Sequence, residues 1–169
     1  MGLWERSNLG FPSGFKNFLN TLHQKGLVLG VWFEPEVIGL RSVLANQLPE
    51  EVFFQDKDRR VVEKDGYQLD FWHPLVCKRM DRVIDHLIDD YGVGYFKFDY
   101  NIEVIQGTDA NEPRKGIAAS TLEHNRAYLN WVHGIYDQHP DLVIESCSSG
   151  TQKMDHAMLS VRSLQSTSD

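Results

Sequence analysis

The sequence predicts an α/β fold organised around a parallel sheet. Two observations carry this. Stretches with apolar residues at helical spacing alternate with short apolar runs that lack a helical period. Each short run also ends in polar or charged residues, as strands do when they feed a site at one end of a parallel sheet. Two architectures fit: a (β/α)8 barrel and a doubly wound open sheet, both of which bind at the C-terminal ends of their strands.

Phe15, Phe18, Leu19 and Leu22 recur at helical spacing, with Pro12-Ser13 as a start signal and Gly26 as a C-terminal cap. The run Leu27 to Phe33 (LVLGVWF) follows and reads as a strand buried on both faces. Val76, Met80, Val83, Ile84, Leu87, Ile88 and Tyr91 form a second helical stripe, capped by Gly92. Gly94 to Tyr100 is the second strand. Leu122, Leu129, Val132, Ile135 and Tyr136 mark a third helix that Pro140 ends, and Leu142 to Glu145 is the third strand. A weaker helix over Met154 to Leu159 leads to a fourth strand, Ser163 to Ser168. The stretches Pro35 to His73 and Asn101 to Arg114 read as long βα loops, with Asp56, Asp58, Arg59 and Arg60 on a solvated loop face.

A closed barrel takes eight strands and roughly 250 residues. The 169 residues carry about four strands. Residues 1–169 are therefore expected to form a partial domain, a piece of a larger enzyme.

Composition narrows the function classes. No apolar run reaches the roughly 18 residues of a membrane span, so no membrane partner is expected. The net charge is −7 with no basic run, which argues against a nucleic-acid partner. The glycines form no GxGxxG, and the seven histidines show neither HExxH nor ligand spacing with carboxylates, so neither nucleotide nor metal is expected. Cys77 and Cys147 make no disulfide framework, no N-x-S/T occurs, and the first residues do not read as a secretory leader. These features favour a cytoplasmic over a secreted location.

The chemistry sits at the strand ends. They read Trp32-Phe33-Glu34-Pro35-Glu36, Lys97-Phe98-Asp99-Tyr100-Asn101, Glu145-Ser146-Cys147-Ser148-Ser149-Gly150 and Ser166-Thr167-Ser168-Asp169. A buried carboxylate costs several kcal/mol unless paired, so carboxylates at neighbouring strand ends point to a site. Asp99 stands among Tyr95, Phe96, Phe98 and Tyr100. Strand alternation puts Lys97, Asp99 and Asn101 on one face, where the cation would keep Asp99 ionised as a carboxylate nucleophile requires. The same spacing also fits a structural Lys–Asp pair. Glu34 and Glu145 read as buried partners of strand-end groups.

Together these segments resemble the WFEPE, K-W-D-x-N, ESC-S-G and TSD signatures of glycoside hydrolase family 36, the family of the microbial α-galactosidases, in order and over nearly the whole chain. The resemblance implies a (β/α)8 barrel, of which this chain supplies roughly the central half. It implies a retaining exo-glycosidase that acts on terminal α-galactosyl residues of oligosaccharides and needs no metal or other cofactor. Carried over residue by residue, Asp99 is the nucleophile and Asp169 the acid/base. Lys97, Asn101, Cys147 and Gly150 match sugar-contacting positions, and Trp32 and Glu36 shape the pocket wall and floor. Ile102 stands where the family usually has arginine, and Gly150-Thr151-Gln152-Lys153 replaces its longer glycine run. The resemblance also leaves room for an α-N-acetylgalactosaminidase, a raffinose-synthase-like galactosyltransferase or an inactive sugar-binding fragment. Full-length members of the family often form homo-oligomers.

Overall fold

The computed structural model describes residues 2–7, 9–11, 13–110 and 116–168. Helix α1 (Phe15–Gln24) closes with Gly26 in the left-handed region at φ 70°, where a residue with a Cβ is strained. Strand β1 (Leu29–Phe33) follows. Between it and the next long helix come β2 (Val37–Gly39), β3 (Gln55–Asp56), β4 (Arg59–Arg60), β5 (Val62–Glu63) and β6 (Gly66–Gln68). Helix α2 (Pro74–Tyr91) begins on His73, whose ring accepts the Leu75 amide, and ends on Gly92. Then come β7 (Val93–Phe98), α3 (Ile117–Gln138), β8 (Val143–Ser146), α4 (His156–Leu159) and β9 (Leu164–Gln165).

The main sheet is parallel, in the order β1-β7-β8-β9. Its ladder runs past the strand ends: Asp99 N–H donates to Phe33 O, Cys147 N–H to Phe98 O and Ser166 N–H to Ser146 O, each at 2.8 Å. The polar strand-end residues are thus fixed by backbone bonds and not left on free loops.

One face of the sheet is covered. Phe33, Phe96, Phe98 and Ile144 pack against Met80 and Ile84 of α2 and against Trp131, Val132 and Ile135 of α3, in one core cluster. The Trp131 indole donates to Asp81 (2.7 Å) and ties α3 to α2. The other face is open, with Trp32 43% exposed. This corrects the expectation that Leu27 to Phe33 is buried on both faces. Burial alternates along β1, because helices cover only one side of the sheet among the described residues.

The stretch Pro35 to His73 is not a plain loop. It holds a three-stranded antiparallel sheet, β2-β6-β5, and the β3–β4 hairpin. The hairpin turns on Lys57 and Asp58, both at positive φ, as a two-residue turn of the I′ kind requires. It lacks the Asn-Gly or Asp-Gly pair that would have marked it, and its strands are too short to show alternation. Arg60 is also not solvated: its guanidinium lies over Phe53 (4.0 Å) and pairs with Glu50. The hairpin holds the second βα loop, since Asp109 N–H donates to Gln55 O (2.9 Å) and Gln55 N–H to the Thr108 hydroxyl (3.1 Å). No helix among the described residues is long and apolar enough to cross a membrane.

Candidate active site

Asp99 lies just past the end of β7 and is only 4% exposed. Four donors converge on its carboxylate. Oδ2 accepts from the Trp32 indole N–H (2.9 Å) and the Asn101 side-chain amide (2.8 Å). Oδ1 accepts from the backbone N–H groups of Tyr100 (2.8 Å) and Ser149 (3.0 Å). Burial opposes ionisation, but these bonds, led by Ser149, Trp32 and Asn101, outweigh it and hold the pKa down at about 2. The side chain is a carboxylate at neutral pH. The strongest pulls on the carboxylate thus come from neutral donors, which the sequence-based emphasis on the Lys97 charge did not anticipate.

Ser149 reaches Asp99 through an unusual backbone. Ser148, Ser149 and Gly150 all have positive φ, at 52°, 50° and 85°. For the two serines this costs about 1–2 kcal/mol each, strain of the kind found where a backbone group must meet a ligand or a reacting side chain. The Ser149 hydroxyl also donates to Asn101 Oδ1 (2.7 Å), which turns the Asn101 amide towards Asp99. Ser149 was not singled out in the sequence. The motif around it was the available signal.

The other expected site residues divide. Trp32 and Asn101 touch Asp99 directly. Lys97 sits in register between Trp32 of β1 and Glu145 of β8. Glu145 accepts from the Tyr95 and Ser166 hydroxyls. Cys147 is fully buried and Gly150 is buried, both just past the end of β8. Asp169 lies outside the described residues.

Glu36, which the resemblance assigns to the pocket floor, lies three residues past the end of β1. It is 1% exposed and belongs to a buried charged cluster. Its carboxylate pairs with the Lys153 ammonium through Oε1 and with His124 Nε2 (3.1 Å) through Oε2. Gln68 donates weakly to Oε2 (3.4 Å). Burial opposes its charge, and Lys153 and His124 outweigh burial, holding the pKa at about 2. Burial also works against charge on His124, but Asp70 and Glu36 keep its pKa above the ordinary value. The Phe71 amide points at Nδ1 (3.0 Å) and competes for that nitrogen. Lys153 is pushed down by burial, partly offset by Glu36.

His124 had a readable signal. It falls on the buried stripe of α3, four residues after Ser120 and four before Tyr128. Lys153 sits in a turn and had none. Among the described residues no group of three or more His, Cys, Asp or Glu side chains could hold a metal ion.

The fold and site define a segment of a βα barrel with an ionised, hydrogen-bonded carboxylate at the mouth of a central strand. Residues 1–169 match the family model described as Melibiase, and the chain belongs to that family. It is 25% identical to α-galactosidase Mel36A of Lactobacillus acidophilus over 162 residues, which is 92% of this chain and 21% of that protein. It is 24% identical to α-galactosidase AgaA of Geobacillus stearothermophilus, over 94% of this chain and 22% of that one. The chain therefore spans about a fifth of the length of these curated relatives. Among solved structures, the α-galactosidase of Lactobacillus brevis aligns with a TM-score of 0.81 and 25% identity, over 98% of this chain and 22% of that one. A doubly substituted AgaA, a GH36 α-galactosidase in complex with stachyose, aligns with a TM-score of 0.87 and 23% identity, over 100% of this chain and 24% of that one. The four parallel strands are thus part of a TIM barrel.

Proposed function

We propose that this chain carries the nucleophile of a retaining α-galactosidase that removes terminal α-galactosyl groups from oligosaccharides. The observation that supports this most is the Asp99 carboxylate, ionised and aimed by four donors at a strand end. The family and the names of its relatives supply the substrate class, and solved AgaA variants hold stachyose and raffinose.

Asp99 attacks the anomeric carbon as the glycosidic C–O bond breaks. The leaving oxygen takes a proton from the second carboxylic acid, which the family resemblance assigns to Asp169. Water then attacks the same carbon, gives its proton to that second carboxylate, and the glycosyl ester to Asp99 opens. Two inversions give net retention, and the two carboxyl groups must stand about 5–5.5 Å apart. Oδ1 is held by two backbone amides and Oδ2 by the Trp32 and Asn101 side chains, so the carboxylate is fixed at both oxygens.

The test uses protein from the complete reading frame and p-nitrophenyl α-galactoside. Asp99→Ala should lower the rate by roughly 10⁴–10⁶-fold, the scale on which enzymes respond to loss of a nucleophile. Added azide should restore turnover and give the galactosyl azide of inverted configuration. A wild-type rate in Asp99→Ala would remove the nucleophile assignment. Failure of the wild-type protein on both this substrate and its N-acetyl analogue would remove the glycosidase reading altogether.

A further inference from the structure

The cluster of Lys153, Glu36, His124 and Asp70 lies outside the residues that touch a sugar in the proposed reaction, yet it is joined to the nucleophile. We infer that Lys153, anchored by Glu36, is a positioning residue for Asp99. It fixes the turn that delivers the Ser149 amide and the ring of Tyr100, whose amide is the other donor to Oδ1. This rests on the proposed role of Asp99 only for its consequence on turnover.

The geometry carries the inference. Lys153 follows Ser149 by four residues and closes the same turn, in which Gln152 N–H donates to Ser148 O (3.0 Å). Its ammonium is held by Glu36 and lies over the Tyr100 ring, 3.8 Å from the centroid, with the Tyr128 ring at 5.0 Å. One cation thus holds both segments that supply backbone donors to Oδ1. Glu36 is itself fixed from three sides. Pro35 ties it to the strand that carries Trp32, His124 reaches it from α3, and its backbone O accepts the Leu69 amide (2.8 Å). Asp70 lies 3.4 Å from the far nitrogen of His124. A strained turn of three left-handed residues does not hold its shape unaided. At its distal end the ion pair is the buried side-chain contact, beside an exposed bond from the Gln152 side-chain amide to Glu103 (3.3 Å).

The experiment compares Lys153→Met, Lys153→Arg and the double variant E36Q/K153M, each in protein from the complete reading frame. The double variant removes both charges together, so it leaves no buried ion without its partner. The first readout needs no substrate: single-residue amide exchange at Ser149, referenced to Cys147, whose amide belongs to the sheet ladder. Protection at Ser149 should fall at least about tenfold relative to Cys147 in Lys153→Met and in the double variant, as a local opening does. Lys153→Arg should restore it. The second readout is turnover: kcat should fall about 100-fold with KM little changed, the scale of a small misplacement of a reacting group. If Ser149 and Cys147 lose protection together, or neither does, Lys153 is not a positioning residue, whatever the substrate turns out to be. If neither methionine variant folds, the cluster is a stability element and the inference is overturned. A wild-type protein inert on galactosides, with the exchange pattern as expected, would sink the proposed function and keep this inference.

Discussion

Asp99 and Glu36 are both buried carboxylates held at a pKa of about 2, but by different means. The bonds that hold Asp99 come from an indole, an amide side chain and two backbone N–H groups, all neutral. Glu36 is held by an ammonium and an imidazole. Neutral donors stabilise a negative charge without supplying the opposite one, so the carboxylate stays nucleophilic and stays aimed. An ion pair spends the charge on its partner. Two residues of one chemical kind are thus ionised to the same degree, with one kept for chemistry and the other for structure.

Cutting the ion pair should have the largest effect on stability. Glu36→Ala leaves the Lys153 ammonium buried without its carboxylate, and breaking such a pair costs about 3–5 kcal/mol. Urea unfolding should show that loss in full. Asp99→Ala removes a carboxylate from four neutral donors and should cost clearly less stability while costing far more activity. Equal stability losses would erase the distinction between the two sites. Both folded pKa values lie below the unfolded ones, so both groups contribute stability that is present above about pH 4.5 and is lost as pH falls towards 2.

Removing one neutral donor should cost less. Trp32→Phe keeps the ring and deletes the N–H that meets Oδ2. A hydrogen bond to a charged group is worth about 1.5–3 kcal/mol, so kcat/KM should fall about 10–100-fold. Stability should change little, because Trp32 lies on the open face of the sheet and is 43% exposed. A stability loss as large as that of Glu36→Ala would place Trp32 in the structural group instead.

The frame of the molecule was legible because it is written in long periods. The helices α2 and α3 and the strands β1, β7 and β8 all show apolar runs that hydrophobic spacing detects. Asp99 was legible because a carboxylate inside YFKFDY has a cost that demands a reason. The small antiparallel sheet and the β3–β4 hairpin were not, since their strands of two or three residues carry no period and the hairpin turn uses Lys57-Asp58. The reason for Asp99's ionisation was only half legible. Alternation brought in Lys97 and Asn101, but the Ser149 amide reaches across 50 residues through a left-handed turn that sequence spacing does not express. The Lys153–Glu36 pair, 117 residues apart, is equally invisible along the chain.

Glu34 offers the finest test, because it stands two residues from Glu36 and has the opposite environment. It is 1% exposed, its Oε1 accepts the Asn101 amide (2.8 Å), and its Oε2 has no hydrogen-bond partner among the described residues. Burial pushes its pKa up, the Asn101 amide pulls it back, and the charges of Asp99 and Glu36 add to the rise. A third carboxylate charge at this strand end is repelled by the other two, so it is harder to form than on a free glutamate. Its folded pKa lies above the unfolded one, so the folded state keeps a proton that the unfolded chain releases. Stability from this group is present below about pH 4.5 and is lost as pH rises through the folded pKa. Glu34→Gln keeps the shape of the side chain, carries no charge and does not titrate. It should keep near-wild-type activity and stay within about 1 kcal/mol of wild-type stability at pH 5. Its stability relative to wild type should then grow as pH rises from about 4.5 to the folded pKa. A difference that is flat with pH, or a large loss of activity, would show that Glu34 acts as a charge, and the division between reactive and paired carboxylates at this strand end would need a third member.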